Sequence, residues 1–277
     1  MRRLSVVLLL LITTALPFAQ EPSVVAVDPL HKPFDEMLDI YVRDGLVYYY
    51  ALRQERARFD RYVLALGEVS ADTIAKWPQP RQLAYWINAY NAFVLRTVID
   101  GYPLRGKAPD YPANSIRQIP GAFDRRTFRA GGRPLTLDAI ERDVIGGFDD
   151  PRALLALSRG AVGGSRLKSE AFTGDRLDRQ LSTMTSELVT RRVLVQVDAA
   201  NNRLSVNPMF SWREALFTRT LAGRAPALYA SRSPLERAVL ALIEPLIVPN
   251  EAEFLRRNEF NMVFHDFDWR LNDLTGR

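Results

Sequence analysis

The pattern of apolar and polar positions along this 277-residue chain predicts several short helices and a few short strands. Apolar residues recur at helical spacing over residues 34–42 and again over residues 51–66. Between them, Leu46 to Tyr50 is typical of a short extended segment, and Asp44-Gly45 predicts the turn before it. Residues 34–66 are therefore predicted to form a helix, a turn, an extended segment and a second helix.

The longest predicted helix runs from Arg81 to Asp100, after Pro78 and Pro80 and before the breaker Gly101-Tyr102-Pro103. Its first half, Gln82 to Phe93, is almost wholly apolar or aromatic but contains Asn88 and Asn91. Their spacing of three places both amides on one face of a helix. A buried amide without partners costs about 1–3 kcal/mol. We therefore expect the two asparagines to belong either to a hydrogen-bond network or to a site.

The second half of the chain combines hairpin and helix signals. Gly131-Gly132 and Asn201-Asn202 each separate two short segments of β character, at 128–130 with 133–135 and at 193–197 with 203–206. Helical patterns cover residues 136–145, 174–189, 234–247 and 251–257, whereas 153–157 fits a strand or a helix. Asp138 and Glu141 have the spacing of a capping box. The predicted fold is α+β, a helix-dominated single domain over residues 34–277 with two short β-hairpins or a small mixed sheet.

The first 19 residues have the features of a signal peptide. Met1-Arg2-Arg3 is a basic start, the following apolar core ends near Leu16, and Ala15 or Ala19 offers a cleavage point. No later segment offers about 18 uninterrupted apolar residues, so no transmembrane helix is expected in the mature chain. We therefore expect an exported, soluble protein, periplasmic or secreted, with a flexible mature N-terminus at residues 20–33.

Charge and cysteine content exclude several classes of function. Loss of Arg2 and Arg3 would lower the net charge from +5 to +3, and the remaining arginines alternate with acids instead of forming a basic face. Nucleic-acid binding is therefore not expected. The chain has no cysteine, which excludes a lipoprotein anchor, thiol nucleophiles, thiolate metal sites and disulfides. No cofactor and no metal are predicted.

A series of motifs in one order resembles the domain-of-unknown-function family 547. The motifs are Gln82 to Phe93, Gly101-Tyr102-Pro103, Ser115-Ile116, Phe128 to Gly132, Leu137 to Glu141, Asp150-Pro151-Arg152, Leu155 to Leu157, Trp212 and Asp268 to Asn272. The resemblance implies a Cys/His pair of the kind in which an imidazole activates a thiol and an amide orients the imidazole.

This chain departs from the family at the residues that would carry such chemistry. Arg142 stands where the family has a histidine, and Arg159 and Gly164 stand where it has cysteines. A guanidinium stays charged at neutral pH and cannot act as a general base. We therefore predict a degenerate site without catalytic residues, in a protein whose pocket serves binding or interaction. The predicted ligand-binding residues are Asn88, Asn91, Glu141, Arg142, Arg159 and Ser165. With two arginines in the former Cys and His positions, a small anionic ligand or a protein partner is expected.

Other interpretations remain open at this point. A hydrolase could use Ser165, which begins a Ser-x-x-Lys pattern with Lys168, or carboxylates such as Asp149 and Asp150. The glycine-rich stretch from Arg159 to Arg166 could hold an anion with its backbone N–H groups. His31 and His265 could be metal ligands but are more simply structural. The asparagines could serve only to tie the central helix to the loop 158–165.

Overall fold

A computed structural model describes residues 28–275. The predicted signal peptide and most of the predicted flexible N-terminus lie outside the described residues. At the end of that N-terminus, the first helix already begins at Lys32, and His31 before it is buried with its Nδ1 2.8 Å from the hydroxyl oxygen of Tyr62.

Twelve α-helices are formed within residues 28–275. They are α1 (Lys32–Tyr41), α2 (Tyr49–Gln54), α3 (Ala57–Glu68), α4 (Ala71–Ala75), α5 (Gln79–Gly101), α6 (Leu137–Ala139), α7 (Arg152–Leu155), α8 (Leu177–Thr190), α9 (Met209–Trp212), α10 (Glu214–Leu221), α11 (Pro234–Ile243) and α12 (Pro249–Arg256). None of these helices combines the length and apolar character needed to cross a membrane.

Seven short strands form three small sheets in the described part of the chain. The strands are β1 (Val42–Arg43), β2 (Leu46–Val47), β3 (Thr127–Ala130), β4 (Arg133–Thr136), β5 (Val195–Asp198), β6 (Arg203–Val206) and β7 (Asn261–Phe264). β1 with β2 and β3 with β4 are antiparallel pairs, while β5 and β6 are antiparallel and β7 adds to β6 in parallel. The predicted α+β fold dominated by helices is confirmed.

Helix α5 lies at the centre of the core. It is 23 residues long, and every side chain from Leu83 to Leu95 is buried. A helix that is apolar on all faces must be covered on all sides, and α2, α3 and α8 pack around α5. The two asparagines of α5 therefore face neighbouring chain segments on every side and have no direct access to water.

The helix predicted over residues 136–145 differs in a way that shapes the site. Thr136 is its N-cap, because its hydroxyl oxygen accepts the backbone N–H of Ala139 at 3.1 Å, so the expected capping box of Asp138 and Glu141 is wrong. After α6 the chain widens into a π-helical turn at Ile140–Val144. Such turns are frequent at functional sites. Here Glu141 is buried while the next residue, Arg142, is exposed.

Several elements were not predicted from the pattern. The segment 153–157, left open between strand and helix, lies largely in α7. The short helices α9 and α10, the pairing of β1 with β2 and the parallel strand β7 were not anticipated. β7 is mostly exposed, so its sequence lacks the apolar alternation by which a half-buried strand is recognised.

Candidate functional site

Asn88 and Asn91 bind the backbone of two segments that run past α5. The Asn88 amide donates to the carbonyl oxygen of Phe172 at 2.8 Å and accepts the N–H of the same residue at 2.9 Å. The Asn91 amide donates to the carbonyl oxygen of Ala156 at 3.1 Å and accepts the N–H of Ser158 at 2.8 Å. Each side chain thus uses its donor and acceptor on main-chain groups that would otherwise be unpaired. This geometry is that of a structural network.

Glu141 and Arg159 form a buried ion pair. Arg159 Nη2 is 2.6 Å from Glu141 Oε1, and both side chains are almost completely buried. Burial acts to lower the pKa of the Arg159 guanidinium, but the adjacent carboxylate outweighs it and the pKa is raised. The second oxygen of Glu141 accepts the Tyr90 hydroxyl at 3.3 Å, and burial followed by the charge of Glu141 raises the pKa of Tyr90.

A chain of alternating charges leads from this pair to the surface. Arg213 Nε is 3.4 Å from Glu141 Oε1, and the Arg213 guanidinium also pairs with Asp138. Asp138 in turn pairs with Arg142 at 3.2 Å, and Arg142 binds Asp143 at 2.7 Å. The expected basic feature formed by Arg142 and Arg159 is therefore wrong, because each guanidinium is matched by a carboxylate and acids stand between the two.

A cleft of about 320 Å³ opens above Glu141 and Arg159. Its lining consists of three arginines, three carboxylates and three aromatic residues: Arg117, Arg159, Arg213, Asp124, Asp138, Glu141, Phe123, Trp212 and Trp269. The lining contains no serine, histidine or lysine. Of the six predicted ligand-binding residues, only Glu141 and Arg159 line this cleft.

Aromatic rings form one wall of the cleft. Trp212 and Trp269 are stacked, with ring centroids 5.7 Å apart and planes 19° apart, and Phe267 packs against both. The Arg159 guanidinium lies 5.1 Å from the Trp212 ring centroid. Trp212 ends α9 and Trp269 belongs to the C-terminal segment, whose Leu271 N–H donates to Asn114 at 2.8 Å. The wall therefore joins chain regions that are far apart in sequence.

Arg117 is the one arginine of the cleft without a carboxylate partner among residues 28–275. Its guanidinium lies 4.2 Å from the Trp269 ring centroid and 4.9 Å from that of Phe123. A short 3₁₀ turn at Ile116–Gln118 positions the residue, and the Ser115 hydroxyl caps that turn by accepting the Arg117 N–H at 3.2 Å. The aromatic faces hold the cation by cation–π attraction and leave its N–H edge available.

Ser165 lies in a different cavity. That cavity measures about 90 Å³ and is lined by Asp44, Gly45, Leu46, Ala161, Val162, Gly164, Ser165, Arg166 and Asn272. The Ser165 hydroxyl is buried and has no hydrogen-bond partner within the described part of the chain. No histidine or lysine lines the cavity, and its one carboxylate, Asp44, is held in ion pairs with Arg166 and Arg191.

The glycine N–H groups of the glycine-rich loop are engaged within the protein, that of Gly160 by the Ser158 hydroxyl at 3.5 Å. The N–H of Gly163 donates to the Asp268 carbonyl at 2.9 Å, and that of Gly164 donates to Ala161 at 3.3 Å. Glycine is required at 163 because a Cβ there would lie 2.5 Å from the Asp268 backbone nitrogen. The loop thus uses its glycines to pack against the C-terminal segment.

The other candidate groups stand apart from the cleft. Asp149 and Asp150 line a separate pocket beside Arg152, and Asp150 pairs with Arg152 at 2.7 Å. Over residues 28–275, no three histidine or acidic side chains are placed to hold a metal ion. The predicted metal-binding alternative at His265 therefore gains no geometric support.

The main residues missed from the sequence are Arg117, Asp124, Trp212, Arg213 and Trp269. Trp212 and the segment ending in Asn272 were noticed only as parts of a family pattern. The sequence feature that could have indicated this wall is the close spacing of Phe267 and Trp269, because large aromatic side chains bury much apolar area when they pack against a partner. Nothing local indicated that Arg117 would meet them.

Comparison with known proteins identifies one similarity. Residues 74–189 match the model of a family described as "Protein of unknown function, DUF547", and the resemblance predicted from the sequence is confirmed over that stretch. The matched stretch is less than half of the chain and contains α5, Glu141, Arg159 and Ser165. A search of curated proteins found no match, and neither did a search of solved structures.

Proposed function

We propose that this chain is an exported, non-catalytic binding protein that takes a small ligand in the cleft above Glu141 and Arg159. The observation that carries the proposal is the state of the former Cys and His positions. Arg159 fills the floor of the cleft in a buried ion pair, and Arg142 points to the surface, bound to Asp138 and Asp143. The cleft persists although the residues that would do chemistry are absent.

Glu141, the buried carboxylate of the cleft, is poorly placed for acid–base catalysis. One oxygen of Glu141 contacts Arg159 and Arg213 and the other accepts the Tyr90 hydroxyl, so both oxygens are engaged. A general acid or base must reach a proton on the substrate within hydrogen-bond distance. The alternative of a serine hydrolase is weaker still, because Ser165 lies in the small separate cavity, whose one lining carboxylate, Asp44, is paired with Arg166 and Arg191.

Two assays test the proposal. The first measures intrinsic tryptophan fluorescence with a panel of small carboxylates, amino acids and sugars at millimolar concentration. Trp212 and Trp269 line the cleft, so a ligand there shifts their emission. The response should be lost in Trp269→Ala and retained in Trp77→Phe, because the Trp77 ring does not line the cleft and packs edge-on against Tyr85.

The second assay follows hydrolysis of p-nitrophenyl acetate and butyrate. We expect no turnover above that of buffer. Turnover that disappears in Ser165→Ala, or in Asp124→Asn, would overturn the non-catalytic assignment. A panel in which no compound changes the fluorescence would overturn the binding assignment.

A further inference from the structure

We infer that the ligand of this cleft carries a carboxylate and an ammonium group on an apolar or aromatic body, as a free amino acid does. This inference rests on the proposed binding function and specifies the ligand class. A zwitterionic ligand differs from the anionic ligand predicted from the sequence. That prediction depended on Arg142 and Arg159, and both guanidinium groups pair with carboxylates.

The carboxylate is assigned to Arg117. The other two arginines of the cleft, Arg159 and Arg213, already pair with Glu141 or Asp138. Arg117 has no such partner in the described chain, and its guanidinium is fixed against Trp269 and Phe123. A planar guanidinium recognises a carboxylate through two parallel N–H bonds, and fixing it beforehand lowers the entropy lost on binding.

The ammonium group is assigned to Asp124. This carboxylate lines the same cleft, directly after Phe123 in the chain, and forms no hydrogen bond or ion pair with any residue of the range 28–275. Both side chains are exposed, and no ion pair joins Asp124 to Arg117 in the described part of the chain. The cleft therefore presents one unmatched negative group and one unmatched positive group to the same ligand.

Charge balance favours a zwitterion over an anion. Three arginines and three carboxylates line the cleft, so the lining is neutral as a whole. A monoanion would satisfy Arg117 but leave Asp124 facing added negative charge, whereas a zwitterion matches both groups. The size agrees, since 320 Å³ lies at the lower end of the roughly 300–1,000 Å³ range of small-molecule pockets.

The aromatic wall supplies the contact for the ligand body. Trp212 and Trp269 are each only partly buried, and their stacked rings border the cleft beside Arg117. A ligand side chain that covers these rings removes apolar area from water on both partners. Phenylalanine is therefore a suitable probe, and it does not absorb at the wavelength used to excite tryptophan.

The test compares three probes on the full mature chain: L-phenylalanine, 3-phenylpropanoate, which lacks the ammonium group, and phenethylamine, which lacks the carboxylate. Tryptophan fluorescence titration should give L-phenylalanine at least about tenfold tighter binding than either analogue, since each analogue lacks one charge-assisted contact.

Two variants assign the contacts. In Arg117→Gln, L-phenylalanine should bind no better than phenethylamine; in Asp124→Asn, it should bind no better than 3-phenylpropanoate. The matched controls are Arg125→Gln and Asp110→Asn, exposed residues that do not line the cleft, and both should keep the original order of affinities. Circular dichroism of each variant checks that it is folded.

The outcomes separate this inference from the proposed function. If 3-phenylpropanoate binds as tightly as L-phenylalanine, the zwitterion is wrong while a binding cleft remains. If the Arg117 and Asp124 variants leave all three affinities unchanged, the assignment of contacts is wrong. If none of the three probes binds, the ligand class is overturned, and the broader panel decides the proposed function independently.

Discussion

The amide pair on α5 and the ion pair above it are both buried and polar, yet they serve different purposes. Asn88 and Asn91 bond to main-chain groups of Phe172, Ala156 and Ser158. Glu141 and Arg159 bond to each other. The amides are enclosed by packed chain on every side, whereas the ion pair forms the floor of a cleft.

The two pairs should therefore differ in how they tolerate substitution. The partners of each asparagine amide are backbone N–H and C=O groups, and a substitution of a side chain does not remove them. The amide therefore cannot be exchanged together with its partners. An ion pair between side chains can be exchanged as a unit for apolar groups. The scaffold is thus tied to the asparagines, while the floor of the cleft is open to substitution.

The largest expected effect is the loss of one member of the ion pair. Glu141→Leu leaves the buried Arg159 without its carboxylate and should lower the free energy of unfolding by about 3–5 kcal/mol. Urea unfolding measures this value. The double variant Glu141→Leu/Arg159→Met should recover at least half of the loss, and a double variant as unstable as the sum of the singles would contradict the comparison.

The pH response of His31 should be next in size. Burial lowers the pKa of His31 from 6.5 to about 4, with a smaller raising contribution from the charge of Asp28 and a smaller lowering one from Arg81. The unfolded chain therefore binds this proton at higher pH than the folded protein does. The contribution of neutral His31 to the free energy of unfolding is fully present above pH 6.5 and falls by about 3 kcal/mol as the pH drops to 4. Arg159, charged throughout this range, shows no such response.

Urea unfolding at several pH values between 7.5 and 4.5 checks this prediction. In His31→Gln the protein should lose this part of the pH dependence, while carboxylates with lowered pKa, such as Asp100, act equally on both proteins. Parallel stability curves for the two proteins would refute the assignment to His31.

Removing one amide of the other pair should cost somewhat less. Asn91→Ala strands the carbonyl oxygen of Ala156 and the N–H of Ser158, and about 2–3 kcal/mol of stability should be lost. Asn88→Ala should lose a similar amount, with no second substitution able to restore it. Gln54→Ala, an exposed amide at the end of α2, is the control and should change stability by less than about 0.5 kcal/mol. An equal loss of stability in Gln54→Ala would show that the cost of removing an amide does not depend on burial.

The smallest effect is expected at two buried serines. The Ser165 hydroxyl has no partner among residues 28–275, so Ser165→Ala should stabilise slightly, by about 0.5–1 kcal/mol. Ser115 is also buried, but its hydroxyl caps the turn that carries Arg117, and Ser115→Ala should cost about 1 kcal/mol. Thermal unfolding of both variants is sufficient, and a loss of stability in Ser165→Ala would show that its hydroxyl has a partner.

Much of the fold was readable because its signals are local. The boundaries of α5 follow from flanking prolines and Gly101, and the turns Gly131-Gly132 and Asn201-Asn202 set the two predicted hairpins. The π-helical turn at Ile140–Val144 was not readable, since its sequence resembles an ordinary amphipathic helix. That widening accompanies the opposite placement of Glu141 in the core and Arg142 on the surface.

The candidate site was predicted only in part for a related reason. Motif resemblance indicated Glu141 and Arg159 but also grouped them with Arg142 and Ser165, which are close in sequence to true lining residues. The remaining lining comes from the turn at Ile116–Gln118 and the residues after it, from Asp138 of α6, from the end of α9 with Arg213, and from the C-terminal segment. Sequence spacing carries no information about contacts between such distant segments.

The helix-dominated α+β fold, the central helix with its two asparagines, the resemblance to the family and the absence of any thiol could all be read from the chain's amino acids. These depend on composition and on interactions within a few residues. Three features became visible only in the folded protein: the asparagines bind backbone groups of neighbouring segments, Glu141 pairs with Arg159, and Arg117 and Asp124 share one cleft with an aromatic wall. The reason is physical: each of these outcomes depends on partners 18 or more residues away in the chain, which packing alone brings together.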